Sequence, residues 1–212
     1  MITKSELEII DKSGMYKIYD KWPEIAIDSF NTDLEPADFK DIDHIVFSGM
    51  GGSGALGDVF SSILSKKNIH VSVMKGYLLP KTVDSNTLVV STSVSGNTLE
   101  TLSVLNSSIN LDCKIIAFSS GGKMENFCLK NDIEYRKIKQ KHSPRASLTS
   151  FLYSMLKILE NEIPIQKNEI KESIVELEKI RNNIFSGNLT ETNKSLNLAK
   201  EIPMYAGGIT KY

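Results

Sequence analysis

A chain of 212 residues with 41% hydrophobic side chains has material for one substantial core, one domain with room for part of another. Its 25 basic and 26 acidic side chains leave a formal net charge of −1, which excludes a global field drawing it to nucleic acid or an anionic membrane. The two cysteines, Cys113 and Cys128, lack metal-ligand spacing and fit a reducing compartment. With no apolar run long enough to span a bilayer and no signal-peptide pattern in "MITKSELEIIDKSG", the expectation is a soluble, cytoplasmic protein.

Residues 1–41 read as an N-terminal helical segment that packs on a domain spanning 42–160. Within that domain short apolar, β-branched runs recur: "HIVFSG" (44–49), "VSVMKG" (71–76), "TLVVSTS" (87–93), "KIIAFSS" (114–120) and "IEYRKI" (133–138). Such runs read as strands buried on both faces. Helical spacing separates several of them, with Ala55, Leu56, Val59, Phe60, Ile63 and Leu64 in the first gap and Leu99, Leu102, Leu105 and Ile109 in the third. Alternating strand and helix predicts an α/β fold, a three-layer αβα domain with a five-stranded parallel sheet and right-handed crossovers. The gap from Met74 to Leu88 is short and holds Pro80, so that crossover is expected to be mostly loop.

Beyond the fifth strand, Leu148 to Leu159 and Ile170 to Ile184 are amphipathic at helical spacing, and 161–200 reads as a helical connection. A helix follows Thr190, and "IPMYAG" within 201–212 then reads as the first strand of an incomplete second domain. On that reading the sequence is truncated, or its tail is borrowed by a neighbour.

Two loops carry the chemistry. "SGMGGSGALGD" (48–58) joins a strand to a helix, and its glycines let a ligand approach backbone amides that favour an anion. Gly49, Gly51 and Gly54 also fit a dinucleotide fingerprint, but Lys75 and Gly76 stand where a ribose-binding acid should end the second strand, and there is no P-loop. "STSVSGNTLETL" (91–102) follows the third strand in the same way. Ser93, Ser95 and Thr98 can each donate a hydroxyl hydrogen bond, Gly96 permits a sharp turn, and Thr98 or Asn97 can cap the helix beginning near Leu99. A cap needs one hydroxyl, whereas three converge here, as a phosphate site requires.

Together "GMGGSGALGD" and "SVSGNTLET" resemble the sugar isomerase (SIS) domain, whose Ser/Thr loop holds the phosphate of a phosphosugar on a flavodoxin-like sheet. "KWPEI" before the first loop and "SPRASL" after the fifth strand narrow the resemblance to the bifunctional phosphoglucose/phosphomannose isomerases. Val94 departs from it, where an aromatic residue is common in the family. The resemblance implies sugar contacts from Gly51, Gly52 and Ser53, phosphate contacts from Ser93, Ser95 and Thr98, and a catalytic Arg145 over the reacting carbons. It further implies aldose–ketose isomerisation without cofactor or metal, in a homodimer with shared active sites. The general base and ring-opening groups of the family, a Glu, a His and a Lys, lie in its second SIS domain. Glu100 reads instead as a helix-start acid, and His44, His70 and His142 as structural or surface residues.

Three alternatives stay open. A non-catalytic phosphosugar-binding SIS module would use the same phosphate residues, and an enzyme of another SIS branch would differ at Arg145. Arg145 also closes a basic run, "RKIKQKHSPR" (136–145), that reads as a solvated edge; with only Tyr135 to stack on a base, it is no nucleic-acid patch.

Overall fold

The computed structural model describes residues 3–209, with side chains through residue 202. In chain order the elements are α1 (Lys4–Ile10), α2 (Met15–Asp20), α3 (Trp22–Phe30), β1 (His44–Ser48), α4 (Gly52–Leu64), β2 (His70–Met74), β3 (Thr87–Ser93), α5 (Leu99–Ser108), β4 (Lys114–Ser119), α6 (Gly122–Lys130), β5 (Glu134–Lys137), a 3-10 turn (Arg145–Ser147), α7 (Leu148–Ile158), α8 (Lys167–Ile184) and α9 (Lys194–Ile209). The chain clusters into two compact units, Ala26–Gln166 and a helical unit made from residues 1–25 and 167–212.

The larger unit is the predicted α/β domain. All five strands pair in parallel, in the order β2-β1-β3-β4-β5. Central β1 and β3 are buried along their whole length, because helices cover both faces, whereas edge strand β2 is only half-buried. Adjacent residues of β1 identify the layers. Val46 packs with Val89 and with Val104 of α5, while Phe47 points the other way and stacks on Phe60 of α4, 5.3 Å between ring centres. The α5 layer continues through Leu105, Ala117, Met124 and Cys128, all fully buried. On the opposite face Thr92 meets Met155 of α7, the hydroxyl 3.9 Å from the sulfur.

The crossover from β2 to β3 is loop, as Pro80 leads one to expect. Helix α6 lies in a gap for which the pattern above names no helix. It buries only Met124 and Cys128 among polar neighbours, too few apolar positions to establish a helical period.

In the helical unit Thr3 and Glu6 form a capping box at the start of α1. The Arg181 guanidinium of α8 donates to the Asp20 carbonyl at 3.0 Å and stands 3.4 Å from Glu24, and the Asp20 carboxylate accepts from the Ser186 amide at 2.9 Å. Here the structure departs from the expected strand over 201–212. Residues 201–209 continue α9 as helix, and 210–212 lie outside the described residues. The physical reason is hydrogen bonding. An extended segment needs a neighbouring strand for its amides and carbonyls, none of the described strands pairs with this one, and a helix satisfies them within itself.

Candidate functional site

Strands β1 and β3 are neighbours, with Ser48 opposite Ser91. Chain order reverses between them, since β2 lies on one side of β1 and β3, β4 and β5 on the other. Open parallel sheets bind ligands at such a switch point, beyond the carboxyl ends of the strands. Both loops singled out by sequence leave the sheet there, side by side.

The first loop turns at Gly51, whose φ of 53° lies in the left-handed region. Gly51 precedes α4 without any side-chain cap. Hydrogen bonding begins with Ser53 and Gly54, whose amides donate to the Met50 carbonyl at 3.0 and 3.3 Å. A Cβ added to Gly51 or Gly52 would meet nothing within 4 Å, so this backbone is open to a ligand. The helix start is therefore an uncapped, accessible set of amides. Lys75, where a nucleotide-binding acid would stand, pairs with Asp58 at 2.6 Å.

The second loop brings Ser93, Ser95 and Thr98 into one turn. Ser93 is buried, Ser95 and Thr98 are half-buried, and Ser93 Oγ lies 2.8 Å from Thr98 Oγ1. Thr98 occupies the N-cap position of α5, but its side chain makes no cap bond, contrary to the expected capping role. Its hydroxyl is paired with Ser93, which leaves the start of α5 without a side-chain cap. Ser95 Oγ accepts from the Asn97 amide at 3.3 Å.

A third loop, absent from the sequence reading, braces this turn. After β4, the Ser120 amide and hydroxyl both donate to the Val94 carbonyl, at 3.0 and 2.6 Å, and the Met124 amide donates to the Gly96 carbonyl at 2.9 Å. Asn97 ties the loops together, accepting from the Lys123 amide at 3.1 Å and donating to the Ser95 carbonyl at 3.0 Å. Gly96 has φ of 68°, and an added Cβ would collide with the Gly121 carbonyl. The signal that could have found this brace is "SSGG" (119–122), another small-residue turn at a parallel strand's carboxyl end.

Arg145 stands apart from these groups. The chain leaves β5 at the same carboxyl edge and reaches Arg145, itself exposed, at the start of the 3-10 turn before α7, whose Ala146 and Ser147 are buried. It makes no hydrogen bond or ion pair with either loop among the described residues. The turn itself is held by buried Ser147, which accepts from the Lys141 amide at 2.9 Å and has its one proton within reach of two carbonyls, Ser143 at 2.8 Å and Lys141 at 3.1 Å. Glu100 sits in the first turn of α5, as expected of an acid that complements a helix start. A larger cavity of about 480 Å³ lies in the helical unit beside Tyr16, Trp22 and Leu177, but its walls are mostly apolar and have neither a glycine loop nor a hydroxyl cluster.

What the arrangement can do is bind one anion with two helix starts and three hydroxyls, without a fixed cation. No group of three metal-ligating side chains occurs among the described residues, and no described helix is long and apolar enough to cross a membrane.

Comparison with known proteins agrees with this fold. No family model matches the chain. It is 35% identical over 167 residues to a bifunctional phosphoglucose/phosphomannose isomerase of Caldicellulosiruptor bescii, a match covering 78% of this chain and 48% of that protein. It is 33% identical over 171 residues to the protein of the same name from Aquifex aeolicus, covering 78% of this chain and 50% of that one. The chain thus spans about half the length of the curated relatives it matches. Among solved structures, the C-terminal domain of glucosamine-fructose-6-phosphate aminotransferase from Francisella tularensis superposes with a TM-score of 0.54 at 21% identity, over 80% of this chain and 54% of that one. By sequence and by its αβα SIS fold, the chain is a relative of the bifunctional phosphoglucose/phosphomannose isomerases.

Proposed function

We propose that this chain is the phosphosugar-binding portion of an aldose–ketose isomerase that interconverts glucose 6-phosphate and mannose 6-phosphate with fructose 6-phosphate. The observation that carries the reading is the Ser93–Thr98 hydroxyl pair at the uncapped start of α5, beside the open Gly51–Gly52 backbone. Ser93, Ser95 and Thr98 hold the phosphate, and Gly51, Gly52 and Ser53 contact the sugar. Three or four charge-assisted bonds at roughly 1.5–3 kcal/mol each are enough for micromolar-to-millimolar affinity without a lysine cluster.

The isomerisation moves two protons. A base removes one from the carbon next to the carbonyl and the electron pair passes onto the carbonyl oxygen as an enediolate; the neighbouring hydroxyl's proton passes to that oxygen, and as the new carbonyl forms the first proton is delivered to the former carbonyl carbon. Arg145 stabilises the enediolate charge once the substrate lies between the loops and the 3-10 turn. Neither loop carries a side chain suited to be the base, which contributes on the order of 10²–10⁴-fold in such reactions. In a longer form, a second SIS domain outside the described residues supplies it, and that protein is a cytoplasmic homodimer with shared sites.

The missing base also favours a second reading, a non-catalytic phosphosugar-binding module. Calorimetry of the purified 212-residue chain with fructose 6-phosphate, and a coupled isomerase assay of the same sample, test both. Binding without turnover is expected. Absence of binding refutes the site, and substantial turnover refutes the assignment of the base to a second domain. Isomerase activity from a longer form carrying that domain decides against the module.

A further inference from the structure

The amino edge of the sheet, opposite the two loops, carries a cluster that phosphosugar binding does not use. His44 opens β1, His70 opens β2, and the two are register partners. Their ring centres stand 4.5 Å apart. Both Nε2 atoms approach a single oxygen, since Ser72 Oγ lies 3.2 Å from His44 Nε2 and 3.3 Å from His70 Nε2.

Proton positions follow from the partners. Thr87 Oγ1 accepts from the Asp84 amide and donates its only proton to Asp84 Oδ1, each at 3.0 Å. A hydroxyl that has given its proton to a carboxylate can only accept from His44 Nδ1, 3.3 Å away, so neutral His44 carries its proton on Nδ1. The Nε2 lone pair is left to face the Ser72 hydroxyl, the same oxygen that His70 Nε2 approaches, so an ion that displaces this hydroxyl meets both rings. Metal-ligating histidines are built in this way, with one ring nitrogen held by a carboxylate relay and the other bare for the ion.

We propose that His44 Nε2 and His70 Nε2 together chelate a divalent transition-metal ion of the copper, nickel or zinc class, pinning β1 to β2, with water completing the coordination shell. The ion enters from the side of His70, which is exposed, because His44 is 5% exposed. On binding, His70 carries its proton on Nδ1 and the Ser72 hydroxyl turns out from between the rings. Four strand steps along β1, about 13 Å, separate this edge from the glycine loop, so the ion acts on the sheet and not on the sugar.

The test is a titration of the chelator-treated full chain with Cu²⁺, followed by visible absorption and electron paramagnetic resonance. Cu²⁺ binds nitrogen sites more tightly than Ni²⁺ or Zn²⁺, so its failure to bind excludes them as well. One Cu²⁺ per chain with nitrogen hyperfine coupling is expected. His70→Ala should abolish it, His142→Ala should leave it unchanged, and Thr87→Val, which cuts the relay, should weaken it about 10–100-fold. Fructose 6-phosphate binding should be the same with and without the metal. Stoichiometric binding that survives His70→Ala, equal loss in His142→Ala, or no binding below millimolar Cu²⁺ would each overturn the proposal.

Discussion

Ser93 Oγ and Thr98 Oγ1 face each other at 2.8 Å across the turn between β3 and α5, and the pairing removes the side-chain cap that Thr98 would otherwise give its own helix. Thr98→Val keeps the shape and deletes the hydroxyl. One charge-assisted bond of roughly 1.5–3 kcal/mol is lost, so phosphate affinity should fall about tenfold to a hundredfold. Calorimetry with fructose 6-phosphate reads the loss, and the melting temperature should stay nearly constant.

Gly96 is constrained twice, by its left-handed φ and by the Gly121 carbonyl that an added methyl would strike. A backbone carbonyl cannot swing aside as a flexible side chain can. Gly96→Ala should cost about 2–4 kcal/mol, the sum of a strained dihedral and overpacking. Urea denaturation checks it, and a cost below that of an ordinary surface substitution refutes the close approach.

Two buried serines should behave oppositely. Ser91 Oγ has no hydrogen-bond partner among the described residues, so Ser91→Ala removes no protein bond and should change stability by less than about 1 kcal/mol. Ser147 accepts one bond and shares its one proton between two carbonyls, and Ser147→Ala should cost about 1–3 kcal/mol. It should also weaken the hold on the Arg145 turn. In an active longer form, kcat should fall more than KM rises.

His44 gives the fold an acid limit. Burial, and then the neighbouring charge of His70, lower its pKa from the ordinary 6.5, so the folded state prefers the neutral ring. The unfolded chain takes up the proton more readily. The His44 contribution to stability is therefore full above pH 6.5 and declines as pH falls below it. Denaturation midpoints between pH 5 and 8 should show this decline, and His44→Gln should flatten it.

Burial pushes the Cys128 thiol up to about 11 and raises the Cys113 thiol as well. Both should resist a disulfide reagent at pH 8 in the folded chain and react on unfolding, because the thiolate is the reacting form. Fast labelling of Cys128 in the native state would contradict its burial.

Strand runs such as "TLVVSTS" and the helical spacing around Phe60 and Leu105 were legible because burial on a sheet or a helix face leaves a period in the residues themselves. The two candidate loops were legible for a related reason, since turns at parallel strand ends need glycine and hydroxyl side chains at fixed places. The brace from Ser120 and Gly121 to the Val94–Gly96 turn left no such trace, because residues more than 20 positions apart meet only when β3 and β4 pair. The same holds for the meeting of His44 with His70, which the pairing of β1 with β2 decides. At residues 201–209 a strand-like composition became helix, because composition sets a preference while the available hydrogen-bond partners set the outcome. The sequence by itself determined the layers and the chemistry of the loops, and only the packed sheet decided which distant side chains share a site.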